Sequence, residues 1–276
     1  MSLSNGSPAV SVVTPAYQSG RFIGATIGSV IAQTFPDWEM VIVDDCSRDD
    51  TGAIAAEFAR RDARVRFVRN EANRGPGPTR NEALRRARGR WVAFLDADDL
   101  WDAEKLERQV AFMQRGGHAF SYTGYRVLSE DGRLVGAVRH LPPRQGYRDM
   151  LKDTSVGCLT VMLDRARVGA VEFPPYRRNQ DNALWLKILR GGIVAHGLPD
   201  TLASYRLVGT SNTSNKLRAA RAVWDVYRDQ ERLPLVPATW YFANYAWRGF
   251  RKHARWRGEE RRVPGPGAEG PWLSCS

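Results

Sequence analysis

Three carboxylates stand within four residues of the chain, at Asp96, Asp98 and Asp99. The apolar residues 91–95 come directly before them and predict a buried strand, so the carboxylates lie at a strand end. Unpaired charge is too costly to bury, and these side chains therefore need a cation, a cluster of basic groups or open water. A divalent ion such as Mg²⁺ or Mn²⁺, which takes oxygen ligands and bridges carboxylate to phosphate, would satisfy them. An acidic surface turn ahead of a helix at Trp101 explains the same pattern, because D-x-D is too short a motif to specify a metal site by itself.

The chain before these carboxylates alternates between strands and helices. Short β-branched runs predict the strands, and apolar residues at helical spacing predict the helices. The predicted strands are residues 10–14, ended by Pro15, and residues 39–43, 65–69 and 91–95; the predicted helices are residues 22–33, 51–61 and 79–88. This order predicts an α/β fold with a doubly wound, mostly parallel sheet and helices on both faces.

Ligands of such sheets bind beyond the carboxyl ends of the strands, and several polar or aromatic side chains fall at that edge. They are Tyr17, Asp44, Asp45, Arg80, Asp96 and Asp98. Thr79 and Glu82 have the spacing of a capping box, which predicts that Arg80 lies in a first helical turn, where exposed N–H groups favour an anion. The sequence has no Walker loop and no G-x-G-x-x-G after the first strand, so neither loop holds the phosphates.

The second half of the chain has a less regular pattern. Its predicted elements are a helix at residues 101–114, a hairpin at 119–128 and 134–140, a buried strand at 158–163, a helix at 181–190, short strands at 193–198 and 202–206, and helices at 214–230 and 238–256. Asp181 stands at the start of one helix. Asp181 could be the N-cap of this helix, or its carboxylate could be directed into a cleft; the sequence leaves both roles open.

Composition restricts the possible partners. Lys and Arg number 41 against 30 Asp and Glu, and the resulting net charge of +11 favours nucleic acid, anionic lipid or phosphorylated substrates. No nucleic-acid-binding motif is present, which argues against nucleic acid. The N-terminus does not resemble a secretion signal, and no apolar run is long enough for a membrane span. Three widely spaced cysteines form no metal or disulfide pattern and fit a reducing cytoplasm.

Aromatic and basic residues alternate near the C-terminus, over residues 238–257. Aromatic helices with basic ends favour membrane interfaces that contain anionic lipids. A helix that packs on the main domain, with its charges in water, accounts for the same pattern. Residues 1–7 and 258–276 are expected to be disordered from their composition.

Five motifs taken together resemble family 2 glycosyltransferases of the GT-A fold. They are V-V-T-P-A-Y ending at Tyr17, V-I-V-D-D-C-S ending at Ser47, T-R-N ending at Asn81, F-L-D-A-D-D ending at Asp99, and N-Q-D ending at Asp181. The resemblance covers residues 8–206, and a stretch from S-Y-R ending at Arg206 is similar to bacterial transferases of capsule, teichuronic acid and lipopolysaccharide assembly. It implies a catalytic domain at residues 8–210 followed by C-terminal amphipathic helices at residues 211–257.

The resemblance also implies a role for each site residue. Tyr17 would stack near a uracil in a pocket formed with Thr14, Pro15 and Ala16. Asp45, with Asp44, would accept from the base, and Arg80 would reach toward the nucleotide. Asp96 and Ala97 would lie at the ribose or sugar, Asp98 would bind Mn²⁺ or Mg²⁺, and Asp181 would be the general base. The implied enzyme is an inverting hexosyltransferase that takes a UDP-sugar and acts on a glycan or lipid-linked acceptor, in the cytoplasm or at the inner face of the plasma membrane.

Three residues depart from the usual family pattern. Cys46 stands where glycine is usual, Gln180 where glutamate is frequent, and Val208 where some relatives have a histidine that adds a metal ligand. Two other functions stay open from the sequence. They are a GT-A-fold nucleotidyltransferase and a basic nucleic-acid-binding protein; nothing in the sequence assigns an oligomeric state.

Overall fold

The computed structural model describes residues 6–135, 138–139, 141–153, 156–176, 178–208 and 216–260, without the side chains of 216–218 and 250–260. Nine strands form one sheet in this part of the chain. They are β1 (Val10–Ala16), β2 (Trp38–Asp44), β3 (Val65–Arg69), β4 (Trp91–Phe94), β5 (Leu100–Trp101), β6 (Phe120–Leu128), β7 (Arg144–Gln145), β8 (Met162–Asp164) and β9 (Ala195–Arg206).

The sheet has a parallel half and a mixed half. Its order is β3-β2-β1-β4-β8-β6-β9-β5, and β7 pairs with β9 off this path. The first four strands in that order are all parallel. β8 then runs antiparallel to both β4 and β6, while β6 and β9 are parallel to each other. The predicted parallel sheet is therefore confirmed for the N-terminal half, and β8 introduces the reversal.

Nine α-helices accompany the sheet among the described residues. They are α1 (Ile23–Ile31), α2 (Thr51–Arg61), α3 (Pro76–Arg86), α4 (Lys105–Gly116), α5 (Tyr147–Met150), α6 (Arg165–Val168), α7 (Gln180–Arg190), α8 (Lys216–Asp225) and α9 (Leu235–Glu260). A π-helical turn, Val226–Gln230, follows α8. No helix in these ranges is long and apolar enough to cross a bilayer.

Two apolar cores lie against opposite faces of the sheet. Successive residues of β1 alternate between them, since Val12 belongs to one core and Val13 to the other. Both residues are fully buried, as expected for a strand covered by helices on both faces. Trp185 of α7 packs against the ring of Phe94 at 5.5 Å and that of Phe120 at 5.3 Å, so α7 is firmly held against one face.

Two predictions about the N-terminal half are wrong in detail. β1 continues through Pro15 to Ala16, because the pairing of β1 with β4 ends at Val13 and the missing N–H of proline removes no bond on that side. The capping box at Thr79 is also absent. α3 begins at Pro76, and the Thr79 N–H donates to the Gly75 carbonyl at 3.2 Å, so Thr79 lies inside the helix.

The second half contains more differences from the predictions. Trp101 lies in β5, paired with Ala203, and not at the start of a helix. The two short strands predicted around residue 200 are one strand, β9, with register shifts opposite Gly124. A 3₁₀ turn at Cys158–Thr160 replaces the first part of a predicted strand. The second arm of the predicted hairpin is reduced to isolated bridges, such as Leu128 with Leu134.

The C-terminal helices share the core of the sheet. Val223, Tyr227 and Ala238 are fully buried in the same cluster as Phe94 and Trp185. One face of α9 therefore packs on the rest of the molecule, as the packing interpretation of residues 238–257 expects. The terminal segments predicted to be disordered lie largely outside the described residues, as does the start of the helix predicted at residues 214–230.

Candidate active site

The carboxyl ends of β1, β2 and β4 meet at one edge of the sheet. Ala16 pairs with Asp44 across the β1–β2 ladder, and the Asp45 N–H donates to the Ala16 carbonyl at 2.8 Å. On the other side of β1, the Leu95 N–H donates to the Val13 carbonyl at 3.0 Å, directly before Asp96. The segments that end these three strands therefore form a common rim, as the sequence predicts.

The end of β1 carries a buried hydroxyl without a partner among the described residues and, further along, an exposed aromatic ring. Thr14 is buried, and its Oγ1 has no hydrogen-bond partner there. Ala16 is buried beside it, Pro15 is half-buried, and Tyr17 has an exposed fraction of 51%. A hydroxyl without a partner next to an exposed aromatic ring suits a ligand that brings both a polar edge and a flat surface.

Asp44 is committed to its own loop. Its Oδ1 accepts hydrogen bonds from the Ser47 N–H, at 3.1 Å, and from the Ser47 hydroxyl. Its Oδ2 lies 3.4 Å from Arg69 Nε, close enough for an ion pair although the two atoms do not form a hydrogen bond. The side chain is fully buried, so the structure gives Asp44 the task of shaping the turn after β2.

Asp45 holds a neighbouring loop. Its Oδ1 accepts from Asn70 Nδ2 at 2.8 Å and from the Arg74 N–H at 2.9 Å, while Oδ2 accepts from the Gly75 N–H at 2.8 Å. Gly75 is the N-cap of α3, with φ +86°. Asp45 thereby anchors the segment that leads into the helix carrying Arg80.

Cys46 marks the first departure from the family pattern. Its φ is +63°, in the left-handed region that favours glycine. Cys46 therefore adopts a conformation that carries a steric penalty for a residue with a Cβ and almost none for glycine. The Cys46 thiol lies 3.7 Å from the Glu71 carbonyl.

Arg80 and Asp96 form an ion pair at the centre of the rim. The guanidinium of Arg80 donates to Asp96 Oδ1 and lies 5.4 Å from the ring centre of Phe173. Burial opposes its charged form, but the carboxylates of Asp96 and Asp181 more than offset this and hold the pKa of Arg80 above its usual value. Arg80 lies in the second turn of α3, and its Nε has no partner among the described residues.

The acidic loop after β4 is crowded with negative charge. Burial, followed by repulsion from Asp96, raises the pKa of Asp98 to about 6. Burial and repulsion from Asp98 and Asp96 raise the pKa of Asp99 well above its ordinary value. Asp99 is almost fully buried, whereas Asp98 is half-buried. Asp98 is therefore the carboxylate of the pair that a ligand can reach.

Two residues not predicted for the site hold this loop in place. The Thr26 hydroxyl of α1 contacts the carbonyl oxygens of Ala97 and Asp99, each at 2.9 Å. Arg206, at the end of β9, donates its N–H to Asp99 Oδ1 and its Nε to the Asp98 carbonyl, each at 2.9 Å. Arg206 belongs to the S-Y-R motif of the family resemblance, so the sequence could have indicated that it has a role. Thr26 is only a hydroxyl among apolar neighbours, and nothing in the sequence indicates its contact with the loop.

The loop suits a divalent cation better than water alone. Asp96 and Asp98 repel each other, and oxygen ligands of this kind are those that Mg²⁺ and Mn²⁺ prefer. Across the described residues, no group of three or more His, Cys, Asp or Glu side chains is arranged to enclose a metal ion. An ion held here would therefore take the rest of its oxygen ligands from a bound phosphate or from water.

Asp181 lies in the first turn of α7 and is not its N-cap. Asn179 occupies that position with φ +54°, and Asp181 Oδ1 accepts from the Asn182 N–H at 2.8 Å. The N-cap interpretation of Asp181 is therefore wrong. Burial raises the pKa of Asp181, and the charges of Arg80 and Asp96 act on it with opposite signs. It therefore shares one electrostatic environment with the Arg80–Asp96 pair.

Gln180 packs closely against α3. A Cβ added at Gly77 would lie 2.4 Å from Gln180 Oε1, so this approach requires glycine on α3. Gln180 is buried, and its Oε1 has no hydrogen-bond partner among the described residues. The neutral amide avoids placing a further carboxylate beside Asp181.

The family model named "Glycosyl transferase family 2" matches residues 11–163 of this chain. The chain is 46% identical over 250 residues to "Putative teichuronic acid biosynthesis glycosyltransferase TuaG" of Bacillus subtilis, which covers 91% of the chain and 99% of that protein. It is 37% identical over 249 residues to "UDP-Glc:alpha-D-GlcNAc-diphosphoundecaprenol beta-1,3-glucosyltransferase WfgD" of Escherichia coli, covering 89% of the chain and 95% of that protein. The chain belongs to the family 2 glycosyltransferases and is an enzyme of the glycosyltransferase class.

Solved structures agree on the fold. TarS of S. aureus, residues 1–349 in complex with UDP-GlcNAc, superposes with a TM-score of 0.66 at 23% identity over 88% of this chain and 72% of that one. The mannosyltransferase PcManGT of Pyrobaculum calidifontis, in complex with GDP-Man and Mn²⁺, superposes with a TM-score of 0.64 at 20% identity over 88% of this chain and 74% of that one. The predicted GT-A fold is confirmed.

Proposed function

We propose that this enzyme is an inverting, metal-dependent glycosyltransferase. It moves a sugar from a UDP donor to a hydroxyl of a lipid-linked or cell-surface polysaccharide acceptor. One observation carries the proposal: the half-buried carboxylate of Asp181, the Arg80–Asp96 ion pair and the reachable Asp98 share one electrostatic environment at the rim of the sheet. WfgD, 37% identical to the chain, is named for a UDP-Glc donor and a diphosphoundecaprenol-linked acceptor, which supports both substrate classes.

Asp181 has the properties of a general base in this reaction. An acceptor hydroxyl is a very weak acid, and it must lose its proton as it attacks the sugar. Burial raises the pKa of Asp181, which makes its carboxylate a better proton acceptor than an exposed aspartate. A single base on the face opposite the leaving group gives inversion in one displacement.

The leaving diphosphate gains negative charge during the transfer. Arg80 lies at the rim with its guanidinium charged and paired with Asp96, and its positive charge would stabilise the negative charge of the leaving diphosphate. A divalent cation held by Asp98 would stabilise the same charge as a Lewis acid. Arg206 and Thr26 keep Asp98 in place through the backbone of its loop.

The uridine would bind at the end of β1. Tyr17 is exposed and offers a ring on which a base can stack, and the Thr14 hydroxyl lacks a partner. Asp45 accepts three hydrogen bonds from its own loop, so we assign it to shaping the pocket as well as to contacting the base. Asp44, Pro15, Ala16 and Ala97 complete the walls.

We infer that the enzyme works in the cytoplasm, at a membrane that carries its acceptor. The lipid-linked acceptor in the name of WfgD supports this location. The few, scattered cysteines fit a reducing compartment.

Product analysis tests the proposed reaction. The purified protein is incubated with a panel of nucleotide-sugars, with Mn²⁺, with Mg²⁺ or with a chelator, and the released nucleotide is identified. We expect release of UDP that depends on the metal, and β-anomeric product from an α-linked donor. A parallel incubation with a nucleoside triphosphate and a sugar 1-phosphate tests the alternative, and release of pyrophosphate there would indicate nucleotidyl transfer. Activity with nucleotide-sugars that is unchanged in the chelator would overturn the metal requirement.

A further inference from the structure

The inner face of α9 fixes this helix on the body of the protein. Ala238 is fully buried, and Phe242 and Tyr245 pack against the main core. The Phe242 ring meets that of Trp224 edge-on at 5.5 Å. α9 is therefore a docked helix whose orientation relative to the catalytic domain is set by packing.

The outer face of α9 is apolar and exposed. Seven large apolar side chains of the described chain are exposed, and four of these, Leu235, Val236, Trp240 and Trp247, belong to α9. Val236, Trp240 and Trp247 are four and seven residues apart, which places them on one side of the helix. Their exposed fractions are 81%, 52% and 61%. We refer to these three residues as the outer stripe.

The segment that contains the outer stripe and the residues after it is strongly basic in sequence. Residues 235–258 contain no Asp or Glu, and the ten residues after Trp247 contain five Lys or Arg. Lys152, on a different segment, places its Nζ 5.2 Å from the ring centre of Trp240. Tryptophan beside basic groups is the composition that favours the boundary between lipid headgroups and acyl chains.

We propose that the outer stripe docks on an anionic lipid surface. The positive charge of the segment complements anionic headgroups, and each basic residue near such a surface strengthens the attraction. Contact of α9 with α9 of a second copy would instead bring two strongly basic segments together, because a twofold contact repeats the same patch on both partners. This docking extends the proposed function, since it would bring the candidate active site close to a lipid-linked acceptor. Binding to lipid does not itself depend on the chemistry of sugar transfer.

Vesicle binding tests the proposal on the full-length protein. Sedimentation is measured with vesicles of phosphatidylcholine alone and with vesicles that contain phosphatidylglycerol, at low and high salt. The variant is Trp240→Ser with Trp247→Ser. The control is Leu134→Ser, since Leu134 is also exposed, by 59%, but lies outside α9.

We expect the wild-type protein to bind the anionic vesicles at low salt and to lose binding at high salt. The double variant should bind at least about tenfold more weakly, and Leu134→Ser should bind like the wild type. UDP release from a soluble donor should be the same in all three proteins, which separates a failure of docking from a failure of the proposed function.

Three outcomes would overturn the docking. The first is no binding of the wild type to anionic vesicles at low salt. The second is equal binding of the wild type and the double variant. The third is a wild-type dimer in sedimentation equilibrium that the double variant converts to a monomer while neither binds vesicles, which would assign the outer stripe to a second copy.

Discussion

The loops after β2 and β4 are both acidic and both flank β1, yet their carboxylates have different surroundings. Asp45 accepts three hydrogen bonds from its own loop, and Asp44 accepts two from Ser47. The described residues give Asp98 no comparable set of donors, and burial and a neighbouring charge raise its pKa to about 6. The same residue type thus stabilises the backbone at one strand end and carries unbalanced charge at the other.

This difference separates structural from chemical carboxylates. A carboxylate that receives several N–H donors is stabilised in place and contributes to folding. A carboxylate that is crowded by other carboxylates is destabilised in its charged form. It is stabilised when a ligand supplies positive charge or when the carboxylate itself takes up a proton. On this criterion we propose that Asp98 and Asp181 take part in the transfer, whereas Asp44 and Asp45 mainly position the loops at the rim of the sheet.

The largest effect is expected from Asp181→Asn. The amide cannot take the proton of the acceptor hydroxyl, and we expect the rate of transfer to fall by about 10²–10⁴-fold or more. The Asn182 N–H can still donate to the amide oxygen, so the first turn of α7 should be preserved. UDP release gives the rate, and calorimetric titration of UDP should show affinity close to that of the wild type.

Asp37→Asn is the matched control for this substitution. It removes the same charge from an exposed position directly before β2, at the opposite edge of the sheet. Its rate should equal that of the wild type. Normal turnover by Asp181→Asn would remove Asp181 from the mechanism and would leave the criterion of unbalanced charge without its main example.

A smaller effect on stability is expected from Asp45→Asn. The new amide group would face the Gly75 N–H, so two donors would meet where a carboxylate oxygen now accepts. The cost is that of an unsatisfied buried donor, about 1–3 kcal/mol in the free energy of unfolding.

Asp44→Asn provides the comparison for Asp45→Asn. An amide oxygen can replace Asp44 Oδ1 toward Ser47, and Oδ2 accepts no hydrogen bond from the described residues. The ion pair with Arg69 would be lost, but it is long, at 3.4 Å, and the Arg69 side chain is half-exposed. Denaturant unfolding should show a smaller loss for Asp44→Asn than for Asp45→Asn. The reverse order would contradict the assignment of the α3 loop to Asp45.

The N-terminal half of the sheet could be predicted from the sequence because its signals are local. The predicted bounds of α2 and β3 are those of the structure, since periodicity and nearby turn residues determine them. The sequence predicts a helix from Trp101, whereas the structure places Trp101 in β5, where its partner Ala203 of β9 lies about 100 residues away in the sequence. No local pattern reports such a pairing.

The site residues on the rim could be predicted for a related reason. Strand ends of a parallel sheet meet at one edge, so the order of the strands is enough to predict that Tyr17, Asp45 and Asp96 lie at the same rim. The support from Thr26 and Arg206 could not be derived in that way, because it depends on side chains reaching a loop from α1 and β9. The sequence also could not show that Asp45 is already engaged by hydrogen bonds.

Lys105 tests the criterion outside the site, because it is a buried amine that has no carboxylate partner in the part of the chain that the structure describes. Its Nζ donates to Gln109 Oε1 at 2.7 Å and lies 4.1 Å from the ring centre of Trp101. Burial lowers its pKa from 10.5 to about 7. The unfolded chain therefore binds more protons than the folded protein between about pH 7 and 10.5, and this group makes the folded state more stable as the pH rises.

Lys105→Met should remove this contribution. Between pH 7.5 and 8.5 the wild type should gain about 1 kcal/mol in the free energy of unfolding relative to the variant. Denaturant unfolding of both proteins across this range measures the difference. Lys187→Met, at an exposed position of α7, should show no such gain. A pH-independent difference for Lys105→Met would mean that Lys105 is equally protonated in the folded and unfolded states.

The smallest effect is expected from Cys46→Gly, in the loop after β2. Cys46 has φ +63°, a conformation that costs an L-residue about 1–2 kcal/mol and costs glycine almost nothing. Glycine also has greater conformational freedom in the unfolded chain, which stabilises the unfolded state and offsets part of the stabilisation from the relieved strain. We expect the free energy of unfolding to rise by about 0.5–1 kcal/mol. Cys46→Ala keeps the strained φ and also loses the thiol, so it should show no gain. If both variants are equally stable, the left-handed turn after Asp45 carries no strain, and hydrogen bonds to Asp44 and Asp45 alone determine the shape of this loop.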